Sequence, residues 1–325
     1  MAQHLTIIGA GPAGMTAALF AARRGVEVTL IDSNATAGRK LLVTGAGRAN
    51  LTNQHVAANR YTCADPNWLE SVLSRFGYAE LNAFLDSVGI LTYVTSDGWC
   101  YPRSESAQTV VNAFTAALND AGVRLLLDHK VISMRKVGDG FEIGFKTQRP
   151  HSCETLLVAA GGSAYPTLGS RGQLFPLLKE LGHTVHPPRP ALAPVTCEMT
   201  PYLALQGVRL DARVKLYEDD HLLAETTGNL IITSWGLNGP AVMDLSHHIS
   251  ARRSTAHLQL QLNPLFASEV ELRELLREKH TSSFPLGVLL GAALPPKLPP
   301  LLLQMAGLSP NIKMNELSEK SLEQV

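Results

Sequence analysis

The stretch Leu5-Thr6-Ile7-Ile8-Gly9-Ala10-Gly11-Pro12-Ala13-Gly14 decides how the rest of the chain is read. Leu5 to Ile8 is a short apolar run with β-branched residues, stopped by glycine, and it predicts a buried parallel strand. Met15 to Arg24, rich in Ala and Leu, predicts a helix closed by Gly25 at the C′ position. Val26 to Ile31 is a second strand-like run. Strand, helix and strand thus follow within about thirty residues, which predicts a parallel sheet with a right-handed crossover.

Gly9-x-Gly11-x-x-Gly14 alone is a weak pattern. Here it follows a strand and opens a helix, and Asp32 ends the next strand eighteen residues after Gly14. Gly9 would allow the tight turn, Gly11 the approach of a pyrophosphate, and Gly14 close packing of helix on strand. Pro12 and Ala13 open a helix whose N-terminus offers N–H donors and a positive dipole end to phosphates. Asp32, with Ser33 beside it, would accept from ribose hydroxyls and repel a 2′-phosphate. The pattern does not separate FAD from NAD, and a glycine turn without a ligand is the bland alternative.

Outward from this unit, composition sets the bounds. Of 325 residues, 45% are hydrophobic and 17% charged, enough for a sizeable core and too little charge for disorder. The 28 Lys and Arg cancel the 28 Asp and Glu, so no electrostatic footprint points to nucleic acid or an anionic membrane. Cys63, Cys100, Cys153 and Cys197 lie far apart, which fits reduced thiols and no zinc ribbon. No apolar run reaches the roughly 18 residues of a membrane span. A strand and glycine turn stand where a signal peptide would carry its apolar core, so a cytoplasmic protein is expected.

Residues 33–54 read as a long loop, and 66–76 and 78–88 as helices. Leu91–Val94 and Trp99–Tyr101 form a hairpin around Asp97-Gly98. A helix capped by Ser104 follows, with Val110, Val111, Phe114 and Leu118 at helical spacing. Val123–Leu127 is a strand, Lys130–Lys136 and Phe141–Phe145 a hairpin, and Thr155–Ala159 a strand ending at Gly161-Gly162. His186 to Pro190 is a hinge. Residues 192–262 alternate β-like runs with turns at Asp219-Asp220 and Gly228-Asn229, and from Ser268 the pattern is helical. Ser318 reads as an N-cap with Leu322 and Val325 on one face, which suggests a chain lacking a C-terminal segment. The expected organisation is 1–188, a β-rich insert 189–262 and a helical cap 263–325.

The segment Gly38-Arg39-Lys40-Leu41-Leu42-Val43-Thr44-Gly45-Ala46-Gly47-Arg48-Ala49-Asn50-Leu51-Thr52-Asn53 offers basic side chains on a closely approachable, glycine-rich backbone. By chemistry alone, an anion site and a solvated loop are equally good readings. The histidines His183, His186, His247 and His248 lack a third ligand at sensible spacing, so no metal is expected. Ser234 lacks the G-x-S-x-G elbow of a hydrolase.

With the fingerprint before it, the run GRKLLVTGAGRANLTN resembles the BaiN/YhiN-like (aminoacetone oxidase-like) NAD(P)/FAD-dependent oxidoreductases of bacteria. The blocks Asp97 to Ser104, Ala160 to Ser170, Pro190 to Val195 and Thr233 to Ala241 resemble further family blocks in the same order. The resemblance implies an α/β fold, with a Rossmann-like FAD-binding domain of the two-dinucleotide-binding-domain flavoprotein type carrying a β-rich insert and a small helical domain. It also implies FAD as cofactor, NAD(P)H as a transient hydride donor, and a small organic acceptor or oxygen. Implied cofactor contacts are Gly38, Arg39, Lys40, Thr44, Gly45, Gly47, Arg48, Asn50, the backbone of Val131 at the adenine, and Ala160, Gly161 and Gly162. Tyr165 stands either beside the flavin or packed as an ordinary tyrosine. No catalytic residue is assigned.

Two departures stand out. Ala49 replaces the usual cysteine of GRCNLTN, and a family stretch of the GLYFAGE…GGYN type is absent. A truncated, non-catalytic or weakly FAD-binding fragment is therefore the alternative reading, and an RNA-modifying flavoprotein, which shares the N-terminal fingerprint, is another.

Overall fold

The computed structural model describes residues 4–318. The chain divides into two compact units, residues up to 188 and residues from 189.

The first unit opens with β1 (His4–Ile8), α1 (Pro12–Ala22) and β2 (Glu27–Ile31). Then come β3 (Thr52–Asn53), α2 (Pro66–Leu73), α3 (Tyr78–Ser87), β4 (Thr92–Val94) and β5 (Trp99–Pro102). They are followed by α4 (Ala107–Asp120), β6 (Arg124–Leu126), β7 (Val131–Val137), β8 (Gly140–Phe145), β9 (His151–Cys153), β10 (Thr155–Val158) and α5 (Phe175–Glu180). One sheet runs in the order β10-β1-β2-β6, and each of its pairings is parallel. This is the Rossmann-like sheet the fingerprint predicts.

The two central strands, β1 and β2, are near-continuous apolar runs because both faces are covered, whereas edge strand β10 leaves Leu157 exposed. Ile7 and Leu30 share one core with Met15 and Leu19 of α1 and with Val110, Phe114 and Leu118 of α4. Ile8 and Ile31 face a second core completed by Met134, Ile143 and Phe145. Burying one such leucine or isoleucine contributes roughly 1.5–3 kcal/mol.

The second unit holds β11 (Val195–Thr196), β12 (Arg209–Glu218), β13 (His221–Ile232) and β14 (Gly236–Asn238). After them come α6 (Pro240–Met243), α7 (Ser246–Ser250), β15 (Leu258–Asn263), α8 (Glu269–Glu278), α9 (Leu286–Leu290) and α10 (Leu298–Met305). Its antiparallel sheet runs β11-β14-β13-β12-β15. Sheet and helices share one core, from Leu216 and Leu230 to Leu286 and Leu303.

Local punctuation misled the sequence reading at three places. Ser106, not Ser104, is the N-cap residue of α4, because Glu105 takes φ +48° and extends the turn. Gly228-Asn229 is not a turn. It lies inside β13, opposite Ala212 and Asp211. There Gly228 takes φ +156°, which L side chains rarely adopt, while a Cβ on it would lie at an ordinary contact distance of 3.8 Å from Cβ of Ala241. β9, mostly polar, carries no strand signal and pairs with β8 only through the tertiary fold. The helix expected beyond Ser318, through Leu322 and Val325, lies outside the described residues.

Two threonines are buried in the parallel sheet, and each meets a histidine. Thr6 Oγ1 is hydrogen-bonded to His151 Nε2 at 2.9 Å, and Thr29 Oγ1 to His4 Nε2 at 3.1 Å. Burial, helped by nearby His4 and Arg124, holds His151 below its ordinary pKa of 6.5. The unfolded chain therefore takes up this proton more readily than the folded one. Stability from the neutral ring is present above the unfolded pKa and declines as pH falls toward the folded one. Melting temperature is expected to fall between about pH 7 and about pH 5, and His151→Gln to flatten part of that slope. An identical slope in the variant would remove His151 from the account.

Candidate functional site

The three fingerprint glycines do different work. Gly9 has φ +110°, and a Cβ there would lie 2.5 Å from Ala159 O. A Cβ on Gly14 would fall inside the van der Waals envelope of Gly9 O. The chain itself forces these two to be glycine, because α1 crosses directly over the turn. Gly11 is different. Its backbone is extended (φ −82°, ψ −179°), a conformation open to any L-residue. A Cβ there would meet nothing within 4 Å. No contact among the described residues requires glycine at this position, and the space before it opens into a cleft.

Gly11 is also the N-cap residue of α1. It offers no capping side chain, Pro12 follows, and the first turn holds no acid. The opening amides of an 11-residue helix thus point at the cleft without a side-chain acceptor.

Asp32 is pinned at the end of β2. Its N–H donates to Leu126 O, and its carbonyl accepts from His129 N–H, both at 2.9 Å. Carboxylate Oδ2 accepts from Ala10 N–H at 2.7 Å. Oδ1 accepts from Asn34 N–H and Asn34 Nδ2, each at 2.8 Å. A carboxylate has about four acceptor sites, so little more than one faces the cleft. Asp32 ties the glycine turn to the end of β2 before it serves any ribose. Asp32→Ala is accordingly expected to lower the melting temperature and to weaken any nucleotide binding in the cleft by about 1.5–3 kcal/mol. Weaker binding with unchanged melting would assign the carboxylate to the ligand alone.

Two further pairs order the rim. Asn34 Oδ1 accepts from Arg39 Nη1 at 2.8 Å, and Lys40 Nζ donates to buried Ser170 Oγ at 2.7 Å. Gly161 has φ +75°, and a Cβ on it would press within 3.0 Å of Lys40 Nζ. Arg39, Lys40 and Lys130 face a single carboxylate, Asp32, among the lining side chains. That balance suits a diphosphate.

Of the residues expected from sequence, Gly9, Gly11, Pro12, Ala13, Asp32, Ser33, Arg39, Lys40, Val131, Ala160 and Gly161 line this one cleft. Gly14 lies beneath the turn. Gly38, at φ +68°, donates its N–H to Ala10 O at 2.8 Å and packs on Val111. Thr44, Gly45, Gly47, Arg48, Asn50 and Gly162 lie outside the cleft lining. Within its own loop, Thr44 donates to Leu41 O, while Arg48 donates to Gly45 O and stacks 4.6 Å from the Tyr101 ring centre. Sequence reasoning missed Asn34, whose bonds to Asp32 two residues earlier are local, and His129, Ser170 and Gln173, which tertiary contact brings in.

Tyr165 is not a packed core tyrosine. It has φ +59° and is 59% exposed, four residues before cleft-lining Gly169. Burial pushes the Cys100, Cys153 and Cys197 thiols up, which makes them poor nucleophiles. Among the described residues no cluster of three His, Cys, Asp or Glu is placed to hold a metal, and no helix is long and apolar enough to cross a membrane.

The HI0933-like protein Rossmann domain family matches residues 3–324. A 3-dehydro-bile acid delta(4,6)-reductase of Clostridium scindens is 32% identical over 99% of this chain and 80% of its own length. A ribosomal RNA dihydrouridine synthase of Escherichia coli is 31% identical over 74% of this chain, which spans only 60% of that protein. Among solved structures, a flavocytochrome c3 fumarate reductase aligns with TM-score 0.42 and 15% identity, over 65% of this chain and 47% of its own.

Proposed function

The chain belongs to the HI0933-like Rossmann-domain family, and on that footing we propose that it is an FAD-dependent oxidoreductase that saturates a carbon–carbon double bond conjugated to a carbonyl. The observation that carries the cofactor reading is Gly11, an N-cap glycine that no packing contact among the described residues requires, with open space before it. The lining residues fit the ADP half of FAD. Gly11 and the α1 N-terminus would hold the pyrophosphate, Arg39 and Lys40 would offset its charge, Asp32 would take a ribose hydroxyl, and the Val131 backbone would meet adenine. The chemistry supplied by bound FAD is hydride transfer at flavin N5. The protein's part is to bind, orient and exclude water.

The substrate reading rests on the relatives. A delta(4,6)-reductase and a dihydrouridine synthase are both named for saturating a double bond, in a 3-keto steroid and in uracil. A balanced charge argues against unaided RNA binding, which favours the small electron-poor alkene. NAD(P)H would act as a transient donor, because the chain carries one dinucleotide fingerprint. The experiment is NAD(P)H oxidation by FAD-loaded protein, offered a conjugated enone in one arm and unmodified ribosomal RNA in the other. Enone-dependent turnover with saturated product is expected. Turnover on RNA alone would overturn the substrate class, and turnover on neither acceptor would overturn the alkene-reductase reading.

A further inference from the structure

The second unit contains a cavity of about 1000 Å³, at the upper end of small-molecule sites. It lies where the antiparallel sheet fails to close. The sheet's two edge strands, β11 and β15, both line it, and α10 supplies another wall through Leu298, Leu301 and Leu302. Residues 258–262 of β15 all line the space, Leu258, Leu260 and Leu262 together with Gln259 and Gln261. The cavity reaches down to Leu205, Leu216 and Leu237, which are buried core residues. A strand added to a sheet edge would pair with backbone and leave that depth unfilled.

The polar inventory defines the ligand. Ser246 Oγ already accepts from Ala193 N–H at 3.1 Å, and Ser250 Oγ already donates to Pro190 O at 2.5 Å, while Thr196, Tyr202, Thr255, Gln259 and Gln261 add neutral polar groups to the lining. The lining contains no Lys, Arg or His, and its single charge is exposed Glu198. An anion would find no counter-charge there and one repelling carboxylate. The cavity opens to solvent, and Leu262, Leu302 and Met305 on it are exposed, so a bound apolar molecule would remove their surface from water. We infer that this cavity is a binding site for an uncharged, largely apolar molecule, independent of the cofactor reading.

The test uses the full chain and two fluorescent probes, neutral Nile red and the anion 1-anilinonaphthalene-8-sulfonate. Nile red is expected to bind saturably with blue-shifted emission, at least about tenfold tighter than the anion. Leu260→Trp and Leu210→Trp, which fill the space from its walls, should each weaken Nile red by about tenfold or more while FAD titrates as in the parent. A second readout needs no variant. Half-buried Cys197 lines the cavity, so Nile red should slow its alkylation by N-ethylmaleimide and leave Cys63 unaffected, as mapped by mass spectrometry. Equal binding of both probes, or no protection of Cys197, would overturn the proposal. So would probe release on concentration-dependent self-association, which would mean that a second copy fills the space. Loss of FAD binding with Nile red binding intact would count against the cofactor reading alone.

Discussion

Gly11→Val is expected to abolish FAD binding while the chain stays folded. The backbone at Gly11 is extended, and nothing in the fold lies within 4 Å of the new Cβ, so the folded state tolerates the side chain. A branched group there projects toward the cleft at the helix N-terminus, where a pyrophosphate would approach most closely. Losing that approach should weaken binding by at least about 3 kcal/mol, or more than about a hundredfold in Kd. Circular dichroism should match the parent, and melting should fall only slightly, by the modest cost of replacing glycine at an N-cap. If the variant holds FAD as tightly as the parent, the glycine turn is ornamental and the site lies elsewhere.

Gly14→Ala should do the reverse. The added methyl would collide with Gly9 O, a backbone atom in a turn that is itself fixed by Gly9 N–H donating to Ile31 O at 2.7 Å. Neither partner can move without separating α1 from the parallel sheet. A loss of at least about 3 kcal/mol in unfolding free energy is expected, beyond what ordinary overpacking costs. Denaturant unfolding measures it. A variant as stable as the parent would mean that α1 does not sit on the turn as described. Two glycines three residues apart thus separate ligand contact from packing.

The β–α–β unit was legible because its signals are local. Two apolar runs, a helical run and three glycines at fixed offsets each report on neighbours in sequence. The same locality explains what was not legible. Ser170 meets Lys40 across 130 positions, and no spacing rule reaches that far. Asp32 was readable as an acid at a strand end, yet the claim of Ala10 and Asn34 on its oxygens depends on how the turn folds back. Within the 38–53 loop, chemistry favoured anion binding and solvated surface equally. The structure sends Arg39 and Lys40 into the cleft and turns Arg48 onto Tyr101. Gly228 read as a turn because glycine in a polar stretch usually marks one, whereas here it takes φ +156° within a paired strand.

The most direct test of the central claim is an equilibrium titration of the purified, flavin-stripped chain with FAD, followed by the flavin absorption bands and by gel filtration. The account predicts saturable binding of one FAD per chain, competition by ADP, and loss of both in Gly11→Val. A folded chain that binds neither FAD nor ADP, or that binds FAD equally well in Gly11→Val, would contradict it.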